Sequence, residues 1–200
     1  MGGVKSKFYS GPGSHERKYV EPYCKLLRKW IRENGITSVC DLGCGDFNVA
    51  AQWLHDGIVY DGVDIVQEMI DAHNAKYGTQ KIRFHCLDIV EDALPDAQLC
   101  LIRQVLQHCS NDEISCILKK TEKYEFVLIT EHITRKEFAA KYNIDKAHGS
   151  HTRVYWQSGL YFDEKPFSLE TEVLLEIPYE GKRKNESMIT VLIKNPCYPG

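Results

Sequence analysis

The residues with chemical potential begin at Val39-Cys40-Asp41-Leu42-Gly43-Cys44-Gly45-Asp46. An apolar run ends in an acid, breaks into a glycine turn and passes into a helical pattern. Glycine lets the backbone take positive φ and approach a ligand closely. The following helix start offers unpaired N–H groups to a carboxylate or phosphate. A dinucleotide turn, G-x-G-x-x-G, would need glycine at position 48, where Asn48 stands. An acid at Asp41 is wrong for a pyrophosphate and right for an ammonium. Two more acids close apolar runs, in Val63-Asp64-Ile65 and Leu87-Asp88-Ile89. Asp favours turns, but three acids at three successive strand ends exceed what that bias provides. Asp61 competes with Asp64, which is preferred because it follows the apolar run.

A second concentration of chemistry lies in Asp145-Lys146-Ala147-His148-Gly149-Ser150-His151-Thr152-Arg153-Val154-Tyr155-Trp156. An arginine fork matches phosphate or carboxylate, and histidine takes a proton near neutral pH. The segment therefore reads as an anion or sugar pocket. Arg153, Tyr155, Trp156 and His108 would hold the substrate, and His132, His148 or His151 would remove its proton. Glu131 is an alternative base. His108 could also be a base, or a packing histidine.

The elements that must position these groups alternate. Ser14 is expected to cap a helix running to about Glu33, with Tyr19, Val20, Tyr23, Leu26, Leu27, Trp30 and Ile31 at the 3.6 period. Strands are expected at Thr37–Leu42, within Gly57–Ile65, and at Ile82–Cys86, Gln98–Arg103 and Phe126–Thr130. Helices are expected at Asn48–Leu54, Gln67–Tyr77 and Asp112–Lys120, the last capped by Asn111. Such alternation implies an α/β fold, a mostly parallel sheet with helices on both faces. Leu169–Ile177 and Ser187–Ile193 read as a C-terminal antiparallel hairpin. Residues 1–200 are read as one domain: a mobile arm at 1–14, a helix at 15–34, a cofactor-binding core at 36–132, a substrate-side segment at 133–168 and the hairpin at 169–194. The stretch 135–168 has little periodicity, and a segment that long in a compact domain is more often functional than slack.

Bulk properties bound the partners. The chain has 200 residues, 43% hydrophobic and 26% charged, enough for a core without disulfides or structural metal. A net charge of −3 gives no global field for nucleic acid. The eight cysteines form no C-x-x-C pair and read as buried free thiols in a reducing cytosol. Neither the Cys40/Cys44 spacing nor any other cluster suggests a metal. Met1-Gly2-Gly3-Val4-Lys5-Ser6 matches the letter of a myristoylation pattern, read here as coincidence. No run approaches a membrane span, so a cytoplasmic protein without membrane partners is expected.

Asp41-Leu42-Gly43-Cys44-Gly45 resembles the (D/E)-x-G-x-G motif of the class I S-adenosylmethionine-dependent methyltransferases. The resemblance implies a Rossmann-like seven-stranded sheet with an antiparallel last pair. It implies that Asp41, Gly43, Gly45 and Asp46 wrap the methionine end of S-adenosylmethionine. Asp64 with Ile65 would meet the ribose, and Asp88 with Ile89 the adenine. Phe47 replaces the motif's usual third glycine. The segment Arg103-Gln104-Val105-Leu106-Gln107-His108 resembles R-x-V-L-Q-H of small bacterial methyltransferases, which implies that Arg103 and Gln104 line the methionyl end. The activity so implied is methylation of a small polar or anionic acceptor, such as O-methylation of a sugar or phosphoryl-type precursor in surface-glycan or secondary metabolism. RNA or protein methylation, and a non-catalytic partner of the same fold, are the alternatives. A basic stripe, a recognition domain and an amino-methylation motif are all missing.

Overall fold

The structure, a computed structural model, describes residues 8–180 and 185–194. The pattern at Met1–Ser6 and Cys197 fall outside them. Helix α1 (Arg17–Glu33) leads into β1 (Ser38–Leu42), and α2 (Ala50–Trp53) and β2 (Val59–Asp64) follow. Next come α3 (Gln67–Tyr77), β3 (Ile82–Cys86), β4 (Leu99–Arg103), α4 (Asn111–Thr121) and β5 (Phe126–Thr134). Strands β6 (Thr171–Pro178) and β7 (Glu186–Lys194) complete one seven-stranded sheet in the order β3-β2-β1-β4-β5-β7-β6. The first five strands are parallel, and β7 runs antiparallel to both β5 and β6.

Strand alternation sends successive side chains to opposite faces, and each face carries its own core. Val39, Leu99, Leu101, Leu128 and Leu192 pack under Leu27 and Ile31 of α1, Trp53 of α2 and Ile70 of α3. Cys40, Cys100, Ile102, Val127, Ile129 and Val191 pack under Ile114 and Ile117 of α4 and under Leu160 and Phe162. Both faces are covered, as a parallel sheet requires. The strand order reverses between β1 and β4, and a ligand crevice opens beyond the carboxyl ends of strands at such a point.

Several boundaries differ from the sequence expectation, among them those of β6, which runs Thr171–Pro178 and not Leu169–Ile177. Helix α1 starts after Glu16, not Ser14, because Pro12–Ser14 forms its own tight turn. Helix α2 is one turn long. Helix α4 is capped by Ser110, not Asn111: Ser110 Oγ accepts from Glu113 N at 3.2 Å, and Glu113 Oε2 accepts from Ser110 N at 2.6 Å. That reciprocal pair satisfies two orphan donors and contributes about 1 kcal/mol. Strand β5 runs on to Thr134, because its last residues pair with Glu186–Met188 of β7.

Candidate functional site

A cleft of about 440 Å³ lies over the β1/β4 reversal, a size suited to one small ligand or cofactor. Its floor begins at Asp41, whose Oδ2 accepts from Tyr60 Oη at 2.8 Å. Burial pushes the Asp41 carboxyl up to about 6, against the pull of the Tyr60 hydroxyl and Arg103. A bound cation would restore its charge.

The glycine turn stands above Asp41. Gly43 and Gly45 hold φ of 78° and 54°. A Cβ on Gly43 would lie 2.2 Å from the Val105 side chain, and one on Gly45 would lie 2.4 Å from Ser10 Oγ, so neither position admits a side chain. Phe47 keeps the left-handed conformation of the glycine it replaces, φ 63°. That costs about 1–2 kcal/mol, offset by burial among the rings of Tyr60, Tyr77 and Phe84. His73 braces the turn from below, its Nε2 2.8 Å from Gly45 O.

The turn does not offer the free N–H groups expected of it. Gly43 N and Cys44 N donate to Val63 O, Gly45 N to Asp64 Oδ2, and Asp46 N to Ser10 Oγ. Anion recognition falls instead to Arg103. Its guanidinium donates to Gly13 O at 2.7 Å and lies over the Tyr23 ring, while Nε is buried with no partner among the described residues. Arg103 and Asp41 both line the cleft. Together they suit the carboxylate and ammonium of an amino-acid moiety.

The other acids lie along the same edge. Asp64 accepts from Gly45 N at 3.1 Å and Val66 N at 3.2 Å, leaving each oxygen a lone pair for a diol. Asp88 accepts from Val90 N at 2.8 Å. Ile65 and Ile89 flank them on the cleft wall, and Ile65 is 65% exposed, an apolar surface that a flat ring would cover. Asp61 is engaged elsewhere. Burial pushes its carboxyl up, but Arg83 (2.8 and 2.6 Å) and His85 (2.7 Å) outweigh this and hold it below its ordinary value.

Residues 8–15 lie on the glycine turn. Ser10 N and Asn48 N donate to the Asp46 carboxylate, and His15 Nε2 lies 2.5 Å from it. Asp46 borders the cleft, but its carboxylate is spent fastening this arm, contrary to its expected role as a cofactor contact. Gln104, at φ 57°, packs its amide against Gly13, where a Cβ would meet Oε1 at 2.1 Å. Ser10, Ser14 and Tyr23 therefore reach the cleft. Sequence reasoning missed them because their partners, Asp46, Asn48 and Arg103, are 34 to 89 positions away.

The expected substrate pocket is not assembled. Arg153 is 1% exposed, and its guanidinium donates to the carbonyls of Ile144 (2.8 Å) and Cys109 (3.0 Å) and to Asn111 Oδ1 (2.8 Å). It is a tie between two loops, with no fork left for a ligand. Tyr155 and Trp156 lie exposed, in edge contact with each other, and neither they nor His151 line the cleft. His132 packs against Tyr179 with its side chain 14% exposed, and its buried Nε2 is 3.0 Å from Glu186 but out of line for a hydrogen bond. Burial lowers its pKa to about 4. Glu131 lies behind the loop after β4, accepting from Leu106 N at 2.9 Å, and burial raises it to about 8. None of these serves as a base in the cleft.

His108 and His148 do line the cleft, on its β4 side, with Cys109 and Glu113. His108 Nδ1 lies 3.3 Å from Gly149 O. A carbonyl accepts only, so Nδ1 carries the proton and Nε2 is the acceptor, with Gln107 Nε2 3.5 Å from it. Burial lowers the His108 pKa. His148 Nδ1 lies 3.1 Å from Glu113 Oε1. Contrary to the sequence expectation of no metal cluster, Cys109, Glu113 and His148 form a set of metal-ligating types. The S-x-x-E pattern at Ser110–Glu113 was a legible signal for the placement of Glu113.

Residues 39–124 match the family described as a methyltransferase domain. No curated protein sequence matches the chain. Among solved structures, human N-acetylserotonin methyltransferase in complex with S-adenosylmethionine is 15% identical, with TM-score 0.58, over 90% of this chain and 54% of that one. The chain thus spans about half the length of that enzyme. The N-methyltransferase NodS from Bradyrhizobium japonicum WM9, in complex with S-adenosyl-L-homocysteine, is 12% identical, with TM-score 0.60, over 92% and 90% of the two chains. Magnesium protoporphyrin IX methyltransferase from Synechocystis PCC 6803, with bound S-adenosylmethionine, is 14% identical, with TM-score 0.56, over 97% and 86%. At these identities the likeness establishes a shared fold.

Proposed function

We propose that the chain is a class I S-adenosylmethionine-dependent methyltransferase, as its methyltransferase-domain match supports, and that it transfers a methyl group to an oxygen of a small polar or anionic acceptor. The observation that carries this reading is the pairing of Asp41 and Arg103 at one end of a cleft whose edge continues to Asp64 and Asp88. Asp41 binds the ammonium of the methionine moiety and Arg103 its carboxylate. Asp64 takes the ribose hydroxyls. Asp88 faces the adenine amine, with Ile65 and Ile89 against the ring. Gly43 and Gly45 let the backbone pass close by.

The chemistry supplied by the bound cofactor is an activated methyl: the acceptor oxygen forms the new C–O bond as the S–C bond breaks, its electron pair going to sulfur. The chain aligns the two reactants and keeps water out. The cofactor side runs over β1 to β3 and the end of β4 at Arg103, which leaves the loop after β4 for the acceptor. There His108 Nε2 receives the acceptor's proton, its ring set by Gly149 O. The neighbours named for N-acetylserotonin and magnesium protoporphyrin IX, both small molecules, support an acceptor of that class.

The test is transfer of a labelled methyl from S-adenosylmethionine to a panel of hydroxylated small molecules, sugar phosphates included. His108→Gln should slow turnover about a hundredfold and leave S-adenosylhomocysteine affinity unchanged. Label entering RNA or protein in preference to every small molecule would contradict the reading.

A further inference from the structure

We propose that Cys109, Glu113 and His148 form a three-ligand zinc site in the acceptor-side wall of the cleft, with its fourth position open to the cavity. Thiolate, imidazole and carboxylate together are the donor set of a borderline cation such as Zn²⁺, and do not suit Mg²⁺ or Ca²⁺. Their ligand atoms already lie within 4.8 Å of one another, and the Glu113–His148 pair stands at 3.1 Å. Tetrahedral zinc needs separations of roughly 3.4–3.8 Å, so closure requires shifts of about 1 Å.

Each ligand is held by a different device. Glu113 is the N3 residue of the α4 capping box, and its Oε2 is used there, which turns Oε1 toward His148. The Cys109 thiol makes only a long 3.8 Å contact with Val105 O. His148 rides on a loop fastened to the same corner. Gly149 N donates to His108 O at 2.9 Å, Lys146 Nζ donates to that carbonyl at 2.9 Å, and Asn111 N donates to Asp145 Oδ1 at 2.8 Å. The nearby Lys146 cation is thus committed to carbonyls.

Structural zinc sites close with four protein ligands, whereas sites that bind a substrate or water keep the fourth place open. All three ligands border the cleft, so the open place faces the acceptor. An oxygen or sulfur donor on the acceptor would occupy it. That last step rests on the acceptor-side reading above, but metal binding itself does not.

The experiment is titration of the chelator-treated full chain with Co²⁺, followed by Zn²⁺, with S-adenosylhomocysteine calorimetry run in parallel. One equivalent of Co²⁺ should give a thiolate charge-transfer band and intense tetrahedral d–d bands, both bleached by Zn²⁺. Cys109→Ser should lose the charge-transfer band. His148→Ala, at an exposed loop position, and Glu113→Gln, which keeps the α4 cap, should each weaken binding at least about tenfold. No thiolate band, a band that survives Cys109→Ser, or affinity unchanged in His148→Ala would overturn the proposal. The parallel calorimetry reports on the cofactor site separately, so failure of one leaves the other readable.

Discussion

The two sides of the cleft are built on different logics. On the β1–β3 side, each acid lies within two residues of the end of its own strand, and its position follows from that strand. Asp41, Asp64 and Asp88 need no distant partner to reach the cleft edge. Beyond the end of β4, the wall is a corner of loops, in which residues 106–111 are tied to 143–153 by Arg153, Asp145 and Lys146. The difference teaches that a charged residue's type does not fix its use. Arg103 ends β4, and Arg153 lies in the long segment that follows β5. One lines the cleft and keeps a buried nitrogen without a partner among the described residues, and the other spends its guanidinium on backbone carbonyls and Asn111.

Substitutions sharpen that contrast. The largest effect is expected at Arg153. Arg153→Ala orphans several buried carbonyls and should cost at least about 3 kcal/mol in urea denaturation. Arg103→Lys should leave stability within about 1 kcal/mol but weaken S-adenosylhomocysteine binding at least tenfold, since an ammonium does not replace the fork. If the two arginines exchanged these phenotypes, the contrast would be wrong.

A smaller effect is expected at Phe47. Phe47→Gly relieves the left-handed backbone but empties a packed ring site, and should cost about 2 kcal/mol net by thermal or chemical unfolding. A stabilised Phe47→Gly would show that backbone strain outweighs packing in the turn.

The Asp41 carboxyl, raised to about 6, predicts a pH effect on ligand binding. The ammonium is held by the ionised form, so affinity is full above that pH and falls as pH drops through it. S-adenosylhomocysteine should bind roughly tenfold more weakly at pH 5 than at pH 7, and Asp41→Asn should remove the dependence. Flat affinity over that range would remove Asp41 from contact with the ammonium.

The smallest effect is at the α4 cap. Ser110→Ala should cost about 1 kcal/mol and leave cofactor affinity untouched, because the cap serves the acceptor side alone.

The same contrast explains what the sequence could reveal. The strands, the glycine turn and the three acids were legible because period and position are local properties. Asp64 could be chosen over Asp61 from the apolar run alone, and Asp61 indeed turns to Arg83 and His85. The Ser110–Glu113 box was also local, but Asn111 competed for the cap. Arg153, His132 and the aromatics Tyr155 and Trp156 were misread because their roles depend on chain segments remote in sequence. Arg153 is fixed by Ile144 O nearby and by Cys109 O and Asn111 more than forty residues back, and His132 by the extension of β5 along β7. Cys109, Glu113 and His148 meet for the same non-local reason, across a gap of 35 residues between Glu113 and His148.

The central claim is that the edge from Asp41 to Asp88 is an S-adenosylmethionine site, and calorimetric titration with S-adenosylhomocysteine, with NAD as control, tests it most directly. The account predicts saturable binding of S-adenosylhomocysteine alone, abolished in Asp64→Ala. Binding of NAD instead, or of S-adenosylhomocysteine undiminished by Asp64→Ala, would contradict it.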